Sequence, residues 1–357
     1  MPSGGASVAA NGIQKHGVPS GSKFCVRPVP GCGLGVVAVT NIAAGECVLQ
    51  EQPLFMLSAQ EIGRAHGQGR AAEEAMIGAQ LARLSDKERA AFWELSDCRA
   101  TASGVKTAFG IWQTNAIATG QDCDDNTRNG LYLLACRFNH SCKPNVNRCW
   151  IEERQREVFH ATQDIFAGEE MCIYYIDLKG VFDARQESLR GAFNFVCRCE
   201  ACSLKGKDLK ESDSLRREYQ QLDNEISQSS PNPSKGVDLV LRVLEIIEAE
   251  FDGDPHLAAR AFHDGFQMAL LAGDLDLASA MMQRAYEAKV VAEGVHAEVS
   301  QLKAYAEDPR SHPLAGSMAA GPPSGAGNAE ELFCGVCAPE EEKEVACEAD
   351  TGQELDL

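Results

Sequence analysis

Four short stretches of this 357-residue chain combine residue types and spacings that could do chemistry. Residues 136–146, CRFNHSCKPNV, set Asn139, His140, Ser141 and Cys142 side by side. A thiol near an imidazole can be a nucleophile with its base, part of a metal site, or a member of a merely polar turn. Neighbouring strand residues point to opposite faces, so His140 and Cys142 need not meet usefully as nucleophile and base. FVCRCEACS places Cys197, Cys199 and Cys202 in C-x-C-x-x-C spacing. Three thiolates that close can share one tetrahedral zinc, and a structural zinc takes four ligands. No further Cys or His follows nearby, so the fourth must come from elsewhere in the fold. PGCGLGVVA alternates Gly31, Gly33 and Gly35 at the start of a strand, where a ligand could approach the backbone. With no helix following and the last glycine missing, this is not a dinucleotide fingerprint. GEEMCIYYIDL adds the phenols of Tyr174 and Tyr175, one of which must face inward if the strand is half buried. Taken singly, each stretch also reads as core or turn.

These residues need elements to hold them. From Lys23 to Phe55, apolar β-branched pairs flank the turn Ala43-Ala44-Gly45-Glu46 and predict strands. Ala167-Gly168-Glu169-Glu170 repeats that logic further on. Between the two lies a stretch rich in Ala, Glu, Leu and Arg, a helical insert over 56–108 in a β-rich domain at 21–180. Cys-rich residues 181–204 follow. Beyond them the pattern turns helical over 207–308, with Val240, Leu244, Ile247 and Phe251 on one face. Gly253-Asp254-Pro255 and Gly273-Asp274 read as links between antiparallel helices. Residues 1–20 and 309–357 have the composition of disordered termini. The fold class is therefore α+β.

Composition removes several functions. The net charge is −19, of which residues 329–357 contribute −9 (one Lys against ten acids). Phosphate binding needs clustered Lys and Arg, so nucleic acid is not expected as a direct partner. No secretory h-region and no apolar run of membrane-spanning length is present. The expectation is a cytoplasmic or nuclear protein in which clustered cysteines among the 15 mean metal rather than disulfide. In the acidic tail, Cys334 and Cys337 in C-x-x-C spacing are expected to be free thiols.

Taken in order, the glycine strand, Arg-Phe-Asn-His-Ser-Cys-x-Pro-Asn, Gly-Glu-Glu-x-x-x-x-Tyr-Ile-Asp-Leu and Phe-x-Cys-x-Cys-x-x-Cys resemble the SET-domain protein methyltransferases over residues 23–204. The interrupted SET domain followed by helices resembles the SMYD-like branch, but residues 56–108 hold only Cys98 and cannot form its MYND zinc finger. The resemblance implies a SET domain, a zinc-bound post-SET segment and a TPR-like helical array. It implies an S-adenosylmethionine-dependent protein-lysine methyltransferase that acts as a monomer on a lysine-bearing protein segment. The backbone of Cys32, Gly33 and Leu34 would embrace the cofactor, with Asn115 and Phe138 nearby. Asn139 and His140 would hydrogen-bond its amino-acid and adenine parts, and Phe195 would pack on the adenine. Tyr175 matches the catalytic tyrosine, Phe193 would wall the lysine channel, and Cys142 would complete the zinc set with Cys197, Cys199 and Cys202. A second reading is a catalytically weak adaptor that binds partners through its helices.

Overall fold

The computed structural model describes residues 18–100, 104–119, 128–230 and 232–317. Of the expected disordered stretches 1–20 and 309–357, residues 1–17 and 318–357, with Cys334 and Cys337, lie outside them. β1 (Phe24–Val29) and β2 (Gly33–Ala38) form an antiparallel hairpin, closed where Cys32 N–H donates to Val29 O at 3.1 Å. β3 (Cys47–Glu51) follows the Ala43–Glu46 turn but joins a different sheet. The helical insert opens on β4 (Phe55–Ser58). Then come α1 (Ala59–Gln68), α2 (Arg70–Leu81), α3 (Asp86–Glu94), α4 (Ala108–Asn115), β5 (Ile117–Thr119) and β6 (Arg128–Leu131). Ser58 with Glu61, and Ser85 with Glu88, make reciprocal capping boxes that start α1 and α3. Ile77, Leu81, Phe92, Phe109 and Trp112 close a separate small core under these helices.

Next along the chain are β7 (Asn139–His140), β8 (Val146–Ile151), β9 (Arg156–Ala161) and β10 (Glu170–Ile173). The sheets are ordered β1-β2-β10-β7, β3-β9-β8 and β4-β6-β5. β2 pairs antiparallel with β10, and β3 with β9. Gly45 N–H donates to Ala161 O at 2.8 Å, and Ile42 bridges Ile165. The two turn-bearing segments therefore run alongside each other and cross together from one sheet to the next. Each expected turn thus joins strands of different sheets rather than forming a hairpin.

Glu51, at the end of β3, is buried, and its carboxylate accepts the backbone N–H groups of Leu133, Leu134 and Ala135 at 2.7–3.2 Å. It thereby satisfies three donors at the start of the segment that delivers Asn139.

α5 (Phe182–Phe193) and the short α6 (Glu200–Ser203) follow, with Cys197 and Cys199 in the chain between them and Cys202 within α6. α7 (Gly206–Ser227), α8 (Pro233–Phe251), α9 (Pro255–Ala272), α10 (Leu275–Glu293) and α11 (Ala297–Glu307) then pack in sequence. Val240, Leu244, Ile247 and Phe251 are buried together, as their spacing predicts. Asp254 and Asp274 cap α9 and α10 by accepting from Leu257 N–H and Leu277 N–H. Arg216 is fully buried, donating to Glu250 and to Leu178 O, which ties the helices to the β domain. Helical turns Pro309–Ser311 and Pro313–Ser317 extend order past residue 308, because Leu314 still finds apolar neighbours in the helical core. Nine residues of the expected disordered tail, 309–317, are therefore ordered. No described helix is long and apolar enough to cross a membrane.

Candidate active site and metal centre

β7 pairs parallel with β10, so Asn139 lies beside Cys172 and His140 beside Ile173. Gly35 lies under this junction: a Cβ there would stand 2.5–2.8 Å from Glu170 Oε1, Val29 Cγ2 and Asn139 Nδ2. The missing side chain lets Asn139 Nδ2 donate to Leu34 O (3.2 Å) and to Glu170 Oε1 (2.7 Å). Both amide hydrogens are thereby used, and Oδ1 is left as an acceptor. Gly31 and Gly33 hold φ of 78°, with open space where a side chain would stand. Cys32 and Gly33 are exposed and Leu34 half-buried, so this strand edge is a backbone cradle open to a ligand.

His140 is buried, and burial pushes its imidazole down to about 4, so it is neutral. Nδ1 accepts from Tyr175 N–H at 3.0 Å, which puts the proton on Nε2, 3.3 Å from Cys142 Sγ. Both ring nitrogens are engaged within the protein. The expected hydrogen bond between His140 and a cofactor would then fall to the His140 backbone.

Tyr175 OH donates to Phe138 O at 2.5 Å. Burial raises the phenol, so the hydroxyl stays protonated. Its ring packs 4.9 Å from Phe193, and His140 lies 5.4 Å from Tyr175 and 6.2 Å from Phe195. Phe138 itself is core, stacked on Phe159 at 4.8 Å, and what it offers the site is its carbonyl. A cavity of about 610 Å³ lies against Tyr175 and Phe193, with Asp177, Lys179, Asp254 and Arg260 also in its wall. Asn115 lines this cavity, and its Nδ2 is committed to Ser96 O and Ile111 O, both at 2.7 Å. Asn115 is thus grouped with the cavity wall, not with the glycine cradle.

The Sγ atoms of Cys142, Cys197, Cys199 and Cys202 all lie within 4.8 Å of one another. Cys142 is buried and 3.6 Å from Cys202 Sγ, and its N–H donates to Cys199 Sγ at 3.4 Å. Four thiols in one pocket, Cys142 from the loop after β7 and the others from 55 or more residues further on, make a soft-ligand set that could hold one metal ion of the zinc class. Gln186 on α5 fixes the segment by exchanging both amide bonds with Cys197, at 3.0 and 3.1 Å. Arg185, also buried, sets Nη2 3.9 Å from Cys202 Sγ, a cation beside four potential thiolates. Neither residue was singled out from sequence, since nothing about a helical Arg-Gln pair signals a thiol neighbour. Glu170, inside the Gly-Glu-Glu motif, was given no role either, because its partner Asn139 lies 31 residues away in sequence and meets it only through the pairing of β7 with β10.

The family model described as SET domain matches residues 33–176. Over 301 residues the chain is 30% identical to histone-lysine N-methyltransferase set5 of Schizosaccharomyces pombe, covering 84% of this chain and 88% of that one. It is 35% identical over 82 residues to protein-lysine N-trimethyltransferase SMYD5 of Gallus gallus, covering 22% and 20%. Among solved structures, that of Rubisco LSMT bound to AdoMet matches at a TM-score of 0.35 and 13% identity, over 82% of this chain and 89% of the other. The fold class is that of a SET domain carrying a helical C-terminal region. The chain belongs to the SET-domain lysine methyltransferase family, with SMYD-type proteins among its relatives.

Proposed function

We propose that this chain is an S-adenosylmethionine-dependent protein-lysine N-methyltransferase whose acting tyrosine is Tyr175. The observation that carries the reading is the position of Tyr175. It stands on the wall of the 610 Å³ cavity, and its main chain is tied through His140 to the strand beside the glycine cradle. The cradle of Cys32, Gly33 and Leu34 would take the cofactor on one side, and a lysine would enter through the cavity on the other. Bound S-adenosylmethionine supplies an electrophilic methyl group on a sulfonium. Asn139 Oδ1 suits an ammonium donor, because the Nδ2 hydrogens are already spent. Phe195 would cover the adenine.

Methyl transfer to an amine needs alignment and a neutral nucleophile more than it needs a base. Lysine has an unperturbed pKa of about 10.4. The aromatic walls of Tyr175 and Phe193 disfavour its charged form. With its own hydrogen donated to Phe138 O, the Tyr175 hydroxyl offers lone pairs to the incoming N–H. The four cysteines would bind zinc and fix the segment bearing Phe193 and Phe195. The substrate is a lysine-bearing protein segment, histone or other, with the TPR-like helices backing its entry. No observation favours the adaptor reading.

A labelled methyl-transfer assay on a protein array tests this. Tyr175→Phe should lower transfer about 100-fold while cofactor binding persists. Cofactor binding with no transfer to any substrate by the unaltered chain would sink the proposal.

A further inference from the structure

A second cluster of metal-ligating side chains lies away from the four cysteines, where α10 ends against β8. Cys149 Sγ, a Glu293 carboxylate oxygen and a His296 ring nitrogen lie within 4.8 Å of one another. Glu293 is 5% and His296 7% exposed. His296 Nε2 faces Glu293 Oε2 at 3.5 Å yet makes no hydrogen bond. On α9, His256 Nδ1 is in the same condition, 3.6 Å from the other oxygen, Oε1. Both buried nitrogens face the Glu293 carboxylate as ion-pair contacts too long or misaligned for a hydrogen bond, so neither is fully satisfied.

We propose that Cys149, Glu293 and His296 bind one zinc-class divalent cation, clamping the end of α10 to the β8 strand. The residue types are those zinc prefers, and a sulfur, an oxygen and a nitrogen at these separations can share one tetrahedral ion. Charge favours it. On binding Cys149 would give up its thiol proton, so thiolate and carboxylate would bring −2 to the ion, offset in part by the Lys289 ammonium already on Glu293. Lys289 Nζ occupies Glu293 Oε1 at 2.5 Å, which leaves Oε2, on the His296 side, for the metal. Three protein ligands leave a fourth position for water.

The backbone around the site is built for close approach. Gly294 holds φ of 71°, and a Cβ there would stand 2.6 Å from His160 Nε2 on β9. Asn147 Nδ2 donates to Ala292 O at 3.0 Å, joining β8 to the last turn of α10. The three ligands thus converge across a seam already drawn tight, spanning 144 residues of sequence between Cys149 and Glu293.

Metal content of the purified full chain tests this, followed by cobalt(II) loading. The expected stoichiometry is two zinc ions per chain, falling to one in Cys149→Ser and in His296→Ala while the melt stays cooperative. Should those variants misfold, Lys289→Met gives the answer. Freeing Oε1 from the lysine should preserve the second ion and tighten it several-fold, whereas a simple ion-pair seam would bind no second metal. In the unaltered chain, cobalt should show a sulfur-poor site beside the thiolate-rich one. A single zinc that disappears with Cys142→Ser and is indifferent to Cys149→Ser overturns the proposal, as does a second zinc indifferent to both Cys149→Ser and His296→Ala.

Discussion

His140 donates its Nε2 hydrogen to the Sγ of Cys142, 3.3 Å away, because its Nδ1 is already taken by the amide of Tyr175. One neutral ring therefore joins the backbone of the proposed catalytic residue to the proposed metal centre. Removing it as His140→Ala should lower zinc affinity about 10–100-fold, the usual cost of losing a partner behind a metal ligand. Chelator competition measures this, and unchanged zinc retention would refute the link.

Gly35→Ala probes the cradle. Its methyl would meet Glu170, Val29 and Asn139 at once, all closer than 3.0 Å. Side chains can yield, so the stability cost should be about 1–3 kcal/mol. Asn139 should shift with them, and cofactor affinity should fall further than the urea midpoint suggests. Equal losses in both measurements would count against the cradle.

Glu51 gives a test of positioning at a distance. Its carboxylate holds three backbone donors, whereas a glutamine keeps one acceptor oxygen and turns an NH2 toward the rest. Glu51→Gln should cost about 1–3 kcal/mol in urea denaturation, the penalty of orphaned buried donors. A neutral result would mean that these amides find other partners.

Asp264 on α9 supplies a pH signature. Burial raises its carboxyl from 3.8 to about 6, with Asp223 adding to the rise and Arg260 and Lys179 opposing it. The folded state therefore prefers the protonated acid. Its contribution is complete below pH 3.8 and is lost as pH climbs through about 6. Partial exposure limits the effect to about 1–2 kcal/mol. Asp264→Asn should match the unaltered chain near pH 4 and exceed it by that amount at pH 7. A gap that does not change with pH would refute the assignment.

Much of this was legible in the residues. The C-x-C-x-x-C spacing asks for a fourth ligand, and α8 shows its buried face through Val240, Leu244, Ile247 and Phe251. The spacing could not say where the fourth thiol lies, since Cys142 reaches the cluster only through the pairing of β7 with β10. Resemblance supplied that residue. The use of the His140 ring was equally hidden, because it depends on which neighbour reaches each nitrogen. The Cys149–Glu293–His296 cluster escaped altogether. Its members are scattered singly through the sequence and meet only where the helical array docks on β8.

The anchoring of Glu51 to the 133–135 backbone has one more consequence. Together with Leu54 N–H bonding Leu131 O at 2.7 Å, it ties the two ends of the insert to each other. Chain added between fixed ends costs little, about 0.6 kcal/mol for each doubling of length. The helices α1 to α3 can thus grow, shrink or be exchanged between proteins while Asn139 to Cys142 stay in register. Sequence in that interval can therefore vary without moving the strands that carry Asn139 and His140.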